Sequence, residues 1–581
     1  MKEAVEKMNE VQKHRGPDDG GIFVDEKNGV ALGHCRLSIL DLTKAGHQPM
    51  EYKNLWITFN GEIYNFLELK KELENKGYKF NTKTDTEVIL ALYAEYGEKS
   101  FSMLRGMFAF GLWDGEKQKL FLVKDCYGIK PLYYYSDNEK LIFASTVKAL
   151  ENSGIMPVQK NPDAYIGFLL FGSVPLPITT VKNVFAVPAG HYLEINSRGN
   201  KKIVKYYDLL DAFLKKSDDN FDTAKIKTRK LLEESIDLHL ISDAPLGVFL
   251  SGGLDSSVIA ALAAKNREKP IETLSIIFDE PEFSEQKYQQ LVAQKIKSDH
   301  REIKITKNDF FDSFSEIFEA MDQPTIDGVN TFFIAKAAKQ AGLKAVLSGL
   351  GADEIFLGYP HFRWAELLRK IQKLPKILKS PLKLGSLFGG KYSKLSYFAN
   401  DDILSFYLGI RGLFTPQETA KILNTNIQEV NNFMDKLSHQ CPVDWTDTDE
   451  GRQLEQLQQL EQLHPINLLS YLELKFYLQN QLLKDTDFMS MYHSIEVRVP
   501  FLDHLLVEYV SGLSPAIKLG GDVNKALLVE ATRDLLPQEI FTRPKMGFTF
   551  PFQKWLRETE KLPVGGHWSR SWAKTVLEKF K

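Results

Sequence analysis

From about residue 222 onward the chain alternates short apolar runs of strand length with helix-length segments, and no other feature restricts its fold as much. LGVFL (246–250), TLSIIF (273–278), REIKI (301–305) and KAVLS (344–348) read as strands. SVIAALAAK (257–265), 285–297 and 330–341 read as the helices between them. This rhythm predicts a doubly wound parallel sheet, in which ligands sit beyond the carboxyl ends of the strands. Two of those ends carry glycine-rich turns.

The first turn is LSGGLDSS, residues 250–257, between a strand and a helix. Ser251, Gly252 and Gly253 form a turn whose backbone N–H groups converge, and glycine lets the backbone approach an anion with φ free to turn positive. The following helix start adds its dipole and free N–H groups, and Ser256 adds a hydroxyl. Asp255 would repel a phosphate unless a cation lay between them, which implies Mg²⁺. The second turn, SGLGADEIFLGY (348–359), repeats the cradle with Ser348, Gly349 and Gly351 and offers Asp353 as a second metal ligand. A third element is basic: RPKMGFTFP (543–551) carries Lys545, and Lys525 lies in NKALL. A lysine on a rigid turn suits neutralisation of departing pyrophosphate.

Residues 1–150 read differently. LWITF, MFAFGLW, KLFLV and LIFAS are strand-like runs between turn clusters, with helix-like pieces such as FLELKKELENKG, so an α+β layered domain is expected. Residues 151–215 form a connecting segment and 360–480 read as mainly helical, with Leu454, Leu457, Leu460 and Leu463 at helical spacing. With 73 Lys plus Arg against 76 Asp plus Glu, nothing points to a nucleic-acid partner. Three scattered cysteines, Cys35, Cys126 and Cys441, argue for a reducing compartment. AYIGFLLFGSVPLPI (164–178) is too short and too proline-broken to span a bilayer, and reads as buried contact between domains. A cytoplasmic protein without nucleic-acid or membrane partners is expected, with a homodimer left open.

Taken together, SGGLDSS, SGLGADEIFLGY, MSMYHSIEVRVPFLDH (489–504) and RPKMGF resemble the glutamine-hydrolysing asparagine synthetase family. HRGPDDGG (14–21), HCRLSILD (34–41), NGEIYNF (60–66), TDTEVILALY (84–93), RGMFAFGLWD (105–114) and KDCYGIKPLYY (124–134) resemble its glutaminase domain. The resemblance implies a layered αββα amidotransferase-type domain over 1–150 and an ATP-pyrophosphatase domain with a helical C-terminal part over 216–581. It implies that ATP converts aspartate to β-aspartyl-AMP, and that ammonia, from glutamine in the family, displaces AMP. It places Ser251, Gly252, Gly253, Asp255 and Ser256 at the pyrophosphate, Leu250 and Ile276 beside adenosine, and Ser348 and Gly349 on ATP. Asp255 and Asp353 would hold Mg²⁺, Lys545 would stabilise the adenylation transition state, and Arg36, Asn60, Gly61 and Asp85 would grip glutamine or its oxyanion.

The chain departs from the family in four places. The family's nucleophile is an amino-terminal Cys, with its own α-amine as base. Here Lys2 follows Met1, and Cys35 and Cys126 read as packed thiols, so the chain as given is expected to use ammonia rather than hydrolyse glutamine; a start upstream of Met1 would restore the nucleophile. Leu350 stands where many members have an acidic residue, and 322–331 aligns with no secure aspartate-binding pattern. These two departures leave open another carboxylate substrate, in a polysaccharide, lactam or peptide pathway. Lys124 stands where an Arg is usual, keeping charge but not fork geometry.

Overall fold

The computed structural model describes the chain except residues 266, 268, 388–389, 441–449, 522, 544–545, 547–549 and 558–567. Its amino-terminal part is built on a six-stranded sheet in the order Lys201–Lys205, His191–Asn196, Lys119–Lys124, Gly106–Asp114, Leu55–Ile63, Met50–Tyr52, with every pairing antiparallel. Alternation along Leu55–Ile63 and Gly106–Asp114 sends Ile57, Phe59, Phe108, Phe110 and Leu112 to one face, where the helices Phe66–Asn75 and Asp85–Tyr96 cover them. Ala109, Leu122 and Leu193 face the other way and pack on Tyr134 of a second, three-stranded sheet, Leu141–Ala144, Tyr133–Ser136, Val184–Ala186, and on Val187 just past its last strand. The helices Lys2–Gln12 and Val147–Glu151 close the outer side over Met8, Tyr135 and Val147, completing the αββα layering.

The later part holds a five-stranded, all-parallel sheet in the order Asp299–Lys304, Glu272–Ile277, Leu246–Phe249, Ala345–Leu347, Glu496–Arg498. The four strands read from the sequence are present within two residues of the expected bounds; the fifth, three residues long, lies within the MSMYHSIEVRVPFLDH motif and carried no strand signal of its own. Winding runs outward from Leu246–Phe249 to one side and restarts at its other side with Ala345–Leu347, so these two strands flank the reversal point. Segment 164–178 is the helix Pro162–Phe171 and its exit. Residues 164–170 and 172–175 are buried and the rest are partly so; Leu413 N–H bonds Leu170 O and Phe171 stacks on Phe476, which ties the connecting segment to the C-terminal helices. Among the described residues no helix is long and apolar enough to cross a membrane.

Candidate active site

The two glycine turns leave neighbouring strand ends at the reversal point and touch. A Cβ on Gly349 would sit 3.0 Å from Asp255 Cβ and 3.1 Å from Ser256 N. Gly252 has φ +78°, and Gly351, which begins the short helix Ala352–Ile355, has φ +94°, so each glycine sits where a side chain is disfavoured. Within the first turn Ser251 N donates to Ser256 Oγ at 3.1 Å, the two hydroxyls lie 2.8 Å apart, and Gly253 N donates to Ser251 Oγ at 3.3 Å. Helix Leu254–Ala264 starts at Gly253 with no capping side chain, the condition under which a helix start takes an anion.

Asp255 and Asp353 meet on one positive charge. Lys525 Nζ lies 2.6 Å from each Asp255 oxygen and 2.6 Å from Asp353 Oδ1. The Lys525 side chain is 3% exposed and its backbone is left-handed, φ +55°, at the start of helix Ala526–Thr532. Burial alone would lower its pKa, but Asp255 and Asp353 together raise it. Gly358 lets the three groups close up, because a Cβ there would collide with Asp353 Oδ1 and Lys525 Cε.

Of the other nucleotide-side expectations, Ser348 N donates to Arg498 O at 2.8 Å, which seats the second turn on the fifth strand. The Leu250 and Ile276 side chains are enclosed in the core; Ser275 Oγ bonds Leu250 O, and Gln289 Nε2 donates to Ile276 O at 3.2 Å. Lys545 lies outside the described residues. Arg543, two positions earlier, donates to Gly252 O at 2.7 Å, pairs with Glu285 and lies 4.1 Å from the Tyr288 ring, so Arg543 is anchored on the first turn.

Behind Asp353 sits a buried acid that sequence reasoning did not single out. Tyr359 OH donates to Glu354 Oε1 at 2.7 Å, and burial, helped by the neighbouring Asp353 charge, pushes the Glu354 pKa up to about 7. The Tyr359 ring lies 4.3 Å from the Arg411 guanidinium, which is 3.9 Å from the Tyr477 ring and pairs with Glu473 at 2.9 Å. Glu473 and Tyr477 belong to a π-helical stretch, Glu473–Leu482, a local geometry frequent at functional sites. Asp322 of the unassigned 322–331 segment accepts from Val147 N and Lys148 N, capping a helix of the amino-terminal part, and Thr325 donates to Asp485 at 2.6 Å. Leu350 packs against the main core.

A second site lies in the amino-terminal part, where Arg36, Asn60, Gly61 and Asp85 line one cavity of about 670 Å³. Arg36 is held by the carbonyls of Thr43, Leu40 and Asp41 at 3.0, 3.1 and 2.6 Å. Asn60 Nδ2 is buried without a hydrogen-bond partner among the described residues. Gly61 has φ +137° and no room for a Cβ against Met107 O. Asp85 accepts from Ile63 N at 2.8 Å, and burial pushes its pKa up to about 7. Cys35 bonds Asn9 O at 3.2 Å and burial pushes its thiol up to about 11; burial also raises the Cys126 thiol, so both remain protonated. Lys124 is buried at the end of its strand, and burial lowers its pKa to about 8.

Residues 227–564 match the asparagine synthase family model, and residues 1–207 match the model of a glutamine amidotransferase domain. The chain is 33% identical over 565 residues to asparagine synthetase [glutamine-hydrolyzing] 1 of Bacillus subtilis, covering 96% of this chain and 85% of that one. It is 36% identical over 411 residues to putative asparagine synthetase [glutamine-hydrolyzing] 2 of Methanocaldococcus jannaschii, covering 65% of this chain and 77% of that one. It is 28% identical over 598 residues to amidase chry2 of Gibberella zeae, covering 95% and 86% of the two chains.

Proposed function

Because this chain belongs to the asparagine synthase family and is therefore a carbon–nitrogen ligase, we propose that it converts aspartate, ATP and a nitrogen donor to asparagine, AMP and pyrophosphate. The observation that carries this reading is the convergence of Asp255 and Asp353 on a single cation position, 2.6 Å from each, where two glycine turns meet. Two carboxylates are a donor set that fits Mg²⁺, which takes few protein oxygens and fills its shell with phosphate and water. Asp255 and Asp353 would hold that ion, and Lys525 supplies the positive charge between them here. Bound there, Mg²⁺ would offset the charge of the triphosphate.

The chain's own groups then act as follows. The turn Ser251–Ser256 and the uncapped start of Leu254–Ala264 bind pyrophosphate through N–H and hydroxyl donors. Gly349 and Ser348 close the other wall. The substrate carboxylate attacks the α-phosphorus, the bond to pyrophosphate breaks, and Lys545 is assigned the charge that develops as pyrophosphate leaves. The nitrogen lone pair next attacks the acyl carbon, AMP departs with the bonding pair, and the amide is released. In the second cavity the orphaned Asn60 Nδ2 and the Gly61 backbone supply donors for the glutamine amide oxygen, while Arg36 and Asp85 orient its charged end.

The test is ATP–pyrophosphate exchange with aspartate, followed by asparagine formation with ammonium or glutamine. Aspartate-dependent exchange is the expected result; exchange driven by no carboxylate would end the proposal. Leu350, an apolar residue within the second turn, favours one further reading: amide formation on a different carboxylate. The same exchange assay, run over amino-acid, peptide and uronate carboxylates, separates the two.

A further inference from the structure

Residues 363–395 hold nine Lys or Arg and a single acid, Glu366, in a chain whose formal net charge is -3. Seven of the seventeen exposed large apolar side chains among the described residues fall at 364–395, where an even spread would put about one. They are Trp364, Leu367, Leu374, Ile377, Leu378, Tyr392 and Leu395. The described residues of the segment fold as short helices, among them Ala365–Gln372, Lys376–Lys379, Ser380–Leu387 and Lys394–Ala399, stacked into one lobe; Gly385 lies against Tyr392 O and Leu395 Cβ.

The lobe is built inside out. Lys379 is 1% exposed, donating to Gln372 O at 2.6 Å and pairing with Asp401, while its neighbours Ile377 and Leu378 are 85% and 63% exposed. Arg369 is likewise buried, bonded to Gln372, while Leu367 on the same helix faces out. Water does not favour turning lysine in and isoleucine out. Exposed apolar side chains interspersed along the segment with the exposed cations Arg363, Lys370, Lys373 (3.9 Å from Glu461) and Lys376 match the combination that lies at a lipid headgroup boundary, where apolar groups enter the acyl edge and cations meet phosphates. We propose that the lobe 363–395 docks this protein on an anionic bilayer surface, with Ile377 and Leu378 as the inserting pair. That no helix among the described residues is long and apolar enough to cross a bilayer bears on crossing one, not on resting upon it.

The experiment is co-sedimentation of the full chain with vesicles of phosphatidylcholine alone or mixed with phosphatidylglycerol, at low and high salt. We expect partition at least about tenfold stronger on the anionic vesicles and weakened by salt. The double variant Ile377→Glu/Leu378→Glu should lose about tenfold of that partition, while Lys370→Glu/Lys373→Glu should abolish the preference for anionic lipid; in both, ATP–pyrophosphate exchange stays at the parent value. No binding to anionic vesicles, or binding that these variants leave intact, overturns the proposal. So does a concentration-dependent dimer in sedimentation velocity that dissociates in Ile377→Glu/Leu378→Glu, which would assign the face to a second copy of the chain.

Discussion

Lys525 shows how one side chain sets the character of a site. Its ammonium keeps two carboxylates together; replaced by methionine it would leave them facing each other in a largely enclosed place. Lys525→Met should cost about 3 kcal/mol in urea unfolding, and added Mg²⁺ should raise the melting temperature of the variant more than that of the parent. Asp255→Asn and Asp353→Asn should each lower ATP–pyrophosphate exchange by about a hundredfold or more. Glu354 contributes a pH dependence. Its native carboxyl holds a proton up to about pH 7, whereas its ordinary value is 4.5, so between these limits the folded state keeps a proton that the unfolded chain gives up. That contribution is complete below pH 4.5 and falls by about 3 kcal/mol as pH rises through 7. Glu354→Gln, which retains an acceptor for Tyr359, should flatten this part of the stability profile and be most stabilising near pH 8, read by thermal melts across pH. The residues carrying these effects were unevenly legible. Asp255 and Asp353 stood in glycine-rich turns that announce an anion, and Asn60, Gly61 and Asp85 in motifs with a familiar order. Arg411 and Glu473 have no local signal, because their pairing spans 62 positions and depends on tertiary packing.

At the scale of elements, the alternation of apolar and amphipathic runs located the sheet because buried parallel strands read as unbroken hydrophobic runs. Glu496–Arg498 escaped that logic. It is three residues long and two of them are charged, and it counts as a strand only because Lys344–Leu347 offers it partners. The turns were legible in type and are strict in geometry. A Cβ on Gly252 would lie 3.0 Å from Gln289 N and 3.1 Å from Tyr288 Cβ, at φ +78°. Gly252→Ala should therefore destabilise by about 1–3 kcal/mol and raise the KM for ATP more than it lowers the exchange rate at saturating ATP, since it moves the phosphate donors.

At the scale of the molecule, the antiparallel and parallel sheets are joined by charge pairs that no linear pattern announces. Arg105, beside the strand Gly106–Asp114, bonds Asp503 at 2.6 and 3.0 Å and also pairs with Glu234. Arg15 lies 2.7 Å from Asp487, and Lys344 2.5 Å from Asp18. The Asp503 side chain is 1% exposed, so Arg105→Ala would leave a buried carboxylate uncompensated. A loss of about 3–5 kcal/mol is expected, with calorimetry resolving two unfolding transitions in the variant. Arg498 is the most enclosed of these links. Its side chain reaches Glu62, next to Gly61, at 3.3 Å, and its carbonyl holds the N–H of Ser348. If the amino-terminal cavity takes the nitrogen donor and the glycine turns take the nucleotide, as proposed, a lineage that recasts the one inherits a constraint at the other. Divergence at either chamber is free only as far as this arginine can follow, and descendants with new specificities should carry paired changes around positions 62 and 348 rather than isolated ones.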